Sequence, residues 1–358
     1  MSRCSRGEMV EPDEVQAFHI TSRCVRRAFL CGQDSYSGKD FSHRRKWIQD
    51  LTMDLIRYFC LEMIAMSIMS NHMHHQLRTR PDLVNQLTDD EVARRWLGIC
   101  PKKRDENGMA CPAAQKDIDA SVKDKKLIDE WRKRLSSISW FARILKQRIA
   151  RMSNAEDETD GRFWQGRFKS TRLDDDASSL ASSVYIDINE IRAELAETPE
   201  TSTYSSIWYR ILAHTNRVKK ARGEKFSAED LEADRWLAPF FTTQLPADQH
   251  FAKSGHRASD DAGLPIDLEH YIKFVDWTGR QIREDKRGSI PSHLAPILER
   301  IGVREEAWFE TVRDFFQQAH RVVGCERSML AAASAIGQQW LQGVNFFKHA
   351  FRDQTDTN

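Results

Sequence analysis

The chain has 358 residues, a length that allows two or three domains and at least one substantial core. Its 54 lysines and arginines balance 53 aspartates and glutamates, so the net charge of +1 says little about partners. The seven cysteines are scattered without a Cys-x-x-Cys pair, which argues against a disulfide framework and a four-thiolate zinc site. The polar start, and the lack of about 18 consecutive apolar residues, predict a cytoplasmic protein without a membrane segment.

The first part of the chain predicts a strand, a helix and a second strand. Alternation in QAFHITSRCV predicts a half-buried strand with Phe18 facing the core and His19 facing away. A helix capped by Ser42 follows, with Ile48 and Leu55 in its apolar stripe. The run EMIAMSIM is apolar on both faces, which predicts a central strand of a sheet.

Directly after this run, the stretch MSNHMHHQL places three histidines in four positions. The SN dipeptide predicts a turn, and the residues that follow alternate as in a strand. Met73 then faces the core, while His72 and His74 share the other face. His75 falls on the core side, so we interpret it as a core or rim histidine.

Residues 82–125 are predicted to form an insertion with a short helix, TDDEVARRWLGI. Apolar residues then recur at spacings of three and four from Ile128 to Met152, which predicts one long helix. The segment GRFWQGRFKSTRL predicts a further strand. Three aspartates after it suit the N-terminus of a helix whose apolar residues run from Ala177 to Leu195.

This order of elements predicts an α+β fold, an antiparallel sheet with helices packed on it. The sheet and its helices occupy residues 12–212, with 82–125 as an insertion within them. A linker with little structure of its own is predicted over residues 213–266. A C-terminal helical module, an accessory domain, is predicted over residues 267–352.

Two sets of side chains carry candidate chemistry. His72 and His74, two apart on a strand, can offer ring nitrogens to one metal ion, although a solvated pair is the commoner case. A zinc hydrolase unrelated to DNA would also use such a pair. In YIDINEIRA, Tyr185 and Asn189 lie one helical turn apart. They either pack at the rim of the core or serve as a nucleophile and a third metal ligand.

Five blocks occur in one order: HITSR, MSNHMHHQL, FWQGRFKS, YIDINEIRA and PETSTYSSI. Over roughly residues 16–211 this pattern resembles the HUH-class single-tyrosine transposases, in particular the REP-associated tyrosine transposase branch. HUH denotes His, a hydrophobic residue and His. The resemblance implies an RNA-recognition-like HUH nuclease fold with helices on one side of the sheet. It implies Tyr185 as the nucleophile, and His72, His74 and Asn189 as ligands of a divalent metal, Mg²⁺ or Mn²⁺.

The function implied is that of a transposase, a metal-dependent single-strand DNA endonuclease and strand transferase with a 5′-phosphotyrosine intermediate. Its partners would be single-stranded or hairpin DNA and, in a homodimer, a second copy of the chain, in the bacterial cytoplasm at the nucleoid. The alternative is a domesticated hairpin-DNA-binding protein without transposition activity. Two glutamates, Glu190 and Glu194, replace the proline and glycine of the family's NPVRAG, and a carboxylate beside a bound phosphate is electrostatically unfavourable.

Basic residues cluster between positions 132 and 172, enough to follow a nucleic-acid backbone if they share a surface. A solvated helical face is the alternative. Trp140, Phe163 and Trp164 either stack unpaired bases or pack in the core. Beside a tyrosine and metal site, the predicted DNA contacts are Arg23, Arg132, Arg143, Lys146, Arg151, Arg167, Lys169 and Arg192.

Overall fold

The computed structural model describes residues 11–25, 30–33, 38–103, 111–242, 251–282 and 304–352. Over these ranges the chain has a mixed α+β fold, as the sequence predicts, with a five-stranded sheet. The strands are Ala17–Arg23 (β1), Leu61–Ile68 (β2), His72–Thr79 (β3), Lys169–Leu173 (β4) and Val322–Val323 (β5).

Helices lie between the strands of this sheet and after them. None of those described is both long enough and apolar enough to cross a membrane. They are Arg44–Ile56 (α1), Pro81–Val84 (α2), Asp89–Ile99 (α3), Gln115–Val122 (α4), Lys125–Leu135 (α5), Ile138–Glu156 (α6), Asp176–Asp187 (α7), Asn189–Arg192 (α8), Ser206–Ala221 (α9), Leu268–Ile282 (α10), Glu305–Gln318 (α11), Glu326–Ala335 (α12) and Val344–Ala350 (α13).

The strand order is β2-β3-β1-β4-β5. Neighbours pair antiparallel except at the end of the sheet, where β5 pairs parallel to β4. Two predictions are therefore wrong in part: the sheet is not wholly antiparallel, and the C-terminal module is not wholly helical. Because β5 hydrogen bonds to β4, the C-terminal residues are part of the same sheet.

Helices cover both faces of the sheet, whereas the resemblance implied one. Phe18, Met73 and Leu77 form one core with residues of α1 and α6. On the other face lies α7, in which every residue from Ala177 to Asp187 is buried. A helix buried all round needs neighbours on all sides, and α10 and α11 supply them.

Several local predictions are corrected by the structure. The predicted long helix is split into α5 and α6, because the Ser137 side chain accepts from the backbone N of Trp140 at 3.4 Å and caps a new helix. Ser42 is not a cap, since α1 begins after His43 without a side-chain cap. Leu195 is exposed because the helical residues end at Arg192.

The segment predicted as a linker packs against the sheet, so this prediction is wrong. Helix α9 extends to Ala221, and Trp236 and Leu237 are buried in the core. The backbone N of Ala238 donates to O of Met63 at 2.8 Å, along the outer edge of β2. Strand β2 is thus an edge strand of the sheet and not the central strand that the sequence predicted. It is buried because this segment covers its edge.

A buried ionic cluster fastens the same segment to the sheet. The carboxylate of Glu62 on β2 accepts from Arg80 at 2.5 Å, from Arg78 and from the Ser259 hydroxyl. Burial alone would raise the pKa of Glu62, but Arg78 and Arg80 lower it overall. The cluster therefore stabilises the fold with an ionised carboxylate that has three buried or half-buried partners, and Arg80 also pairs with Asp261.

Candidate active site

Strand β3 divides its histidines between two faces. Because side chains alternate along a strand, His72 and His74 project from one face, with their ring centroids 4.8 Å apart. His74 is fully buried and His72 lies at the partly exposed end of the strand. His75 lies on the other face, buried with its ring centroid 6.0 Å from that of Phe141, which confirms its placement in the core.

The hydrogen bonds of the histidine pair involve Nδ1 and leave Nε2 for a ligand. Nδ1 of His74 lies 2.8 Å from Nε2 of His19 and 3.1 Å from Oγ1 of Thr21, both on β1. Nδ1 of His72 donates to Oδ1 of Asn71 at 2.5 Å. The bond to Asn71 places the proton of His72 on Nδ1 and leaves its Nε2 lone pair for a metal ion. For His74, donation from Nδ1 to Thr21 or His19 would do the same. Nε2 of His74 is buried and, among the described residues, has no hydrogen-bond partner.

The histidines of this face are neutral at pH 7. Burial lowers the pKa of His19 to about 3 and that of His72 to about 4. Burial, with the neighbouring His19, holds the pKa of His74 well below its usual value. Neutral imidazole is the form that binds a metal ion, so the electrostatics suit ligation.

His19 was not singled out from the sequence, although its chemistry belongs to this site. Alternation along β1 placed it on the polar face, away from Phe18. Its contact with His74 depends on the pairing of β1 with β3, in which Thr21 lies opposite His74. No pattern within one strand predicts which strand will lie next to it.

Helix α7 holds Tyr185 against the histidines. Its ring centroid lies 5.8 Å from that of His74 and 6.0 Å from that of His19. Burial raises the pKa of Tyr185 to about 12, and Arg192 opposes this. The Arg192 guanidinium lies 5.1 Å from the centre of the phenol ring. The side chain is therefore a protonated phenol at neutral pH, next to a cation.

Asn189 lies on the turn after Tyr185, as the first residue of α8. Its Nδ2 is buried and has no partner in the described part of the chain. A half-turn of the amide would present its oxygen at the same position. In the described ranges, no group of three or more His, Cys, Asp or Glu side chains is arranged to hold a metal ion. A third protein ligand would therefore be of another type, such as this amide.

Glu190, the residue that departs from the family pattern, has a structural contact. Its carboxylate accepts from the backbone N of Tyr204 at 3.0 Å and links α8 to the segment before α9. Burial raises the pKa of Glu190 to about 7, while Arg45 opposes the shift. Near neutral pH this carboxyl is thus partly protonated, which weakens its repulsion of a phosphate.

Two phenylalanines of α11 cover the site, although the sequence pattern predicted only that they lie on a helix. The ring of Phe316 is stacked on that of Tyr185, and its centroid lies 5.5 Å from that of His74. The ring of Phe315 lies 5.9 Å from that of Tyr185. Tyr185 is left 7% exposed and Phe316 36% exposed. The C-terminal residues thus form part of the site wall.

A buried polar network holds the end of α7. Asp187 accepts from the backbone N of Ile207 at 3.0 Å and from the Ser206 hydroxyl at 2.5 Å, both on α9. Its second oxygen accepts from the Tyr271 hydroxyl of α10 at 2.5 Å. Burial raises the pKa of Asp187 to about 6. These bonds fix the turn of helix that carries Tyr185.

Two of the predicted DNA contacts have structural roles. Arg132 donates to the carbonyl oxygens of Val84 and Leu87 and pairs with Asp89, which fastens α5 to the insertion. Three of the five N–H donors of Arg132 are used in these contacts, so a DNA contact by this residue stays a prediction. Arg192 donates to the carbonyl oxygen of Arg313 at 2.9 Å and lies beside Tyr185 instead of on an open surface.

The remaining predicted contacts lie on the surface or beside a cleft. Trp164 and Phe163 are buried, which confirms core packing for both. Trp140 is partly exposed, with the Arg143 guanidinium 4.7 Å from its ring centre. Lys146 is partly exposed and donates to the carbonyl oxygen of Gly166 at 2.7 Å. The exposed members are Arg23, Arg143, Arg151, Arg167 and Lys169.

Comparison with known proteins gives a distant likeness. No model of a known protein family matches the chain, and no curated protein matches it. One solved structure, a REP-associated tyrosine transposase bound to a REP hairpin, is similar over 63% of this chain and 88% of its own. The identity is 13% and the TM-score 0.33. At this distance two chains need share no function.

Proposed function

We propose that this protein is a transposase that cleaves single-stranded DNA with Tyr185 as nucleophile and transfers the cleaved strand. The observation that carries the proposal is the placement of the Tyr185 phenol against His74, with His72 beside it. A tyrosine, two neutral histidines with open Nε2 atoms and a nearby arginine are the groups that phosphoryl transfer through a phosphotyrosine requires.

The topology supports an RNA-recognition-like HUH nuclease fold. Strands β1 to β4 are arranged in the order β2-β3-β1-β4, all antiparallel, with α1 between β1 and β2 and α6 between β3 and β4. This is the arrangement of a β-α-β-β-α-β sandwich. The insertion, α7 and the C-terminal residues are additions to it.

In the proposed reaction, Oη of Tyr185 forms a bond to phosphorus, and the bond from phosphorus to the 3′ oxygen breaks. The phenol loses its proton and the leaving oxygen gains one, which yields a 5′-phosphotyrosine and a free 3′-hydroxyl. The covalent bond retains the energy of the broken phosphodiester, so a second 3′-hydroxyl can reverse the step without ATP. Arg192 stabilises the negative charge that develops near the phenol.

In this proposal a divalent cation would be held by Nε2 of His72 and His74 and by the amide of Asn189. The buried Nε2 of His74, without a partner among the described residues, fits this role. A cation held there would supply Lewis acidity to the phosphate, and the oxygen-rich phosphate would suit Mg²⁺ or Mn²⁺. His19 and Thr21 hold the His74 ring in place.

A second candidate is a domesticated protein that binds hairpin DNA and does not cleave it. The two phenylalanines that cover Tyr185 favour this second candidate. A phenol that is 7% exposed beneath them is poorly placed to meet a phosphate. Both candidates act on bacterial DNA in the cytoplasm, either alone or as homodimers.

The deciding experiment compares Tyr185→Phe with wild type on single-stranded oligonucleotides that carry a hairpin. We expect the variant to bind DNA and to form no covalent adduct, since only the nucleophilic oxygen is removed. Tyr209→Phe is the matched control, because this tyrosine is also buried but packs against Trp236. An adduct with Tyr185→Phe would refute the nucleophile, and binding without cleavage by wild type in any divalent metal would establish the domesticated binder.

A further inference from the structure

Arg23, the last residue of β1, lies beside the candidate active site. In the antiparallel pairing of β1 with β3 it is directly opposite His72, so the two side chains project from the same face of the sheet. Thr21 is opposite His74 in the same register, and the contact between these two side chains identifies this face as the one that carries the site. Cα atoms of residues paired in this way are about 5 Å apart.

The charge of Arg23 acts on the site. Burial, and after it the Arg23 guanidinium, lowers the pKa of His72 to about 4. The Arg23 side chain is exposed and, among the residues that the structure describes, it forms no ion pair with a carboxylate. Its charge can therefore attract an anion that enters at His72.

Two other cations lie on this face, each beside a different part of the site. The Arg192 guanidinium lies 5.1 Å from the ring centre of Tyr185. Nζ of Lys169, at the start of β4, lies 5.9 Å from the ring centre of Phe316. Arg23 is next to the outer histidine, at the partly exposed end of β3. Neutral histidines with cations on two sides form a site that favours an anion.

The three cations suit different steps of phosphoryl transfer. Arg192 lies against the phenol and acts on the attacking oxygen. In the transition state, negative charge is also spread over the non-bridging oxygens of the phosphate, and a fixed cation near them stabilises it. A guanidinium is suited to that position because its planar fork donates two parallel hydrogen bonds to two phosphate oxygens.

We infer that Arg23 is a catalytic residue, whose guanidinium binds the non-bridging oxygens of the phosphate that Tyr185 attacks and stabilises their charge in the transition state. The inference rests on the proposed function, which places that phosphate at His72 and His74. It assigns Arg23, which the sequence predicted only as a DNA contact, to the reacting phosphate.

The first test locates the phosphate that Arg23 contacts. The probe is a DNA hairpin with a single-stranded extension, in which each phosphate of the extension is replaced in turn by an uncharged methylphosphonate. Binding is measured in the Tyr185→Phe background, so that no cleavage intervenes. We expect Arg23→Ala to weaken binding of the unmodified probe roughly tenfold, as for one lost charged hydrogen bond. The loss should disappear at one methylphosphonate position, the phosphate that wild type joins to Tyr185.

The matched control is Arg222→Ala. Arg222 is also an exposed arginine, but it lies at the end of α9, about 24 Å along the helix from Ser206 near the site. Its substitution should have no effect that depends on the methylphosphonate position.

The second test measures the single-turnover rate of adduct formation at saturating DNA. Arg23→Ala should lower this rate roughly 100-fold, the usual effect of removing one donor to a transition-state oxyanion. Arg23→Lys keeps the charge and loses the fork, so its rate should lie between those of Arg23→Ala and wild type. Arg222→Ala should leave the rate unchanged.

Three results would overturn the inference. If the binding loss of Arg23→Ala disappears at no position, Arg23 contacts no phosphate of the extension. If it disappears at a position other than the adduct, the charge acts elsewhere on the strand. An unchanged rate at saturating DNA would restrict Arg23 to binding. Absence of any adduct with wild type would instead refute the proposed function, and with it the catalytic role, while the methylphosphonate map would still identify the phosphate next to Arg23.

Discussion

Phe316 of α11 is stacked on Tyr185 of α7, with 8° between the ring planes and 6.0 Å between the centroids. The same ring lies edge-on to His74. The proposed nucleophile and a proposed metal ligand are thus covered by one partly exposed side chain from the C-terminal part of the chain. A phosphate that approaches the Tyr185 oxygen must pass this ring or displace it.

We expect Phe316→Ala to speed covalent adduct formation roughly tenfold, which corresponds to about 1.4 kcal/mol of barrier. The variant removes part of the cover and leaves Tyr185, His72 and His74 in place. The measurement is the single-turnover rate of adduct formation with a single-stranded oligonucleotide. An unchanged or slower rate would show that the phenylalanine positions the tyrosine and does not obstruct it.

Phe315→Ala is the matched comparison. Phe315 is fully buried in the core that α11 shares with α7. Its truncation should lower the free energy of unfolding by about 3–5 kcal/mol, the usual cost of a phenylalanine-sized cavity. Urea denaturation should show this loss for Phe315→Ala and a much smaller loss for Phe316→Ala, because Phe316 is already more than one-third exposed.

The histidine pair gives the second prediction for activity. His72→Ala combined with His74→Ala should abolish Mn²⁺-dependent cleavage, because the amide of Asn189 alone cannot hold a divalent ion. His75→Leu is the control, since His75 points into the opposite core beside Phe141 and should leave cleavage in place. Full activity of the double variant, or of wild type in excess chelator, would reject a metal mechanism.

The two faces of β3 show which features of the site could be predicted from the sequence. Alternation alone assigned His72, His74 and His75 to their faces, because a strand has a fixed period of two. The approach of His19 to His74 and of Phe316 to Tyr185 could not be predicted in this way. Both contacts join elements far apart in the chain, and their positions depend on strand pairing and helix packing.

The prediction of a linker over residues 213–266 was wrong for a different physical reason. Its composition is polar, so average composition predicted a linker. A few large apolar residues, among them Trp236 and Leu237, nevertheless bury against the exposed edge of β2. Whether a segment packs depends on where its few apolar residues can be buried and not on its average composition. The unpaired edge of β2 is such a place.

The ionic cluster at this edge gives a prediction for stability. Glu62→Gln should lower the free energy of unfolding by about 1–3 kcal/mol at pH 7, since it removes the buried carboxylate that pairs with Arg78 and one of the three that pair with Arg80. The pKa of Glu62 is lowered in the folded protein. Its contribution is therefore present above its unfolded pKa of 4.5 and is lost as the pH falls through the lower folded value.

The measurement is urea denaturation of wild type and Glu62→Gln from pH 7 down to pH 3. The difference between the two should shrink below pH 4.5. Glu130→Gln is the control, because Glu130 forms an exposed pair with Arg134 on one helix and should cost at most about 0.5 kcal/mol. A difference that stays constant with pH would mean that Glu62 acts through packing and not through its charge.

The last prediction concerns the form of DNA that is cleaved. Tyr185 packs against the histidines beneath Phe316 of α11, and the exposed Arg23 and Lys169 lie at the adjoining ends of β1 and β4. A single strand can bend into such a site, whereas a duplex would hold its second strand against the protein. We expect cleavage of single-stranded DNA next to a hairpin, and little or none of the same sequence as a perfect duplex.

Salt dependence reports on the same interaction. Counterions released from the DNA make binding fall with added salt, with a slope of about 0.7 per phosphate contact for single strands. Arg143→Ala and Arg167→Ala should each reduce that slope by about this amount, while Arg132→Ala should not, since Arg132 is bonded to the insertion. A gel assay with end-labelled single-stranded and duplex DNA, followed by protease digestion, reveals the 5′-linked peptide. Equal cutting of both forms would contradict the single-strand mechanism, because a site that accepts a duplex cannot have the geometry described here.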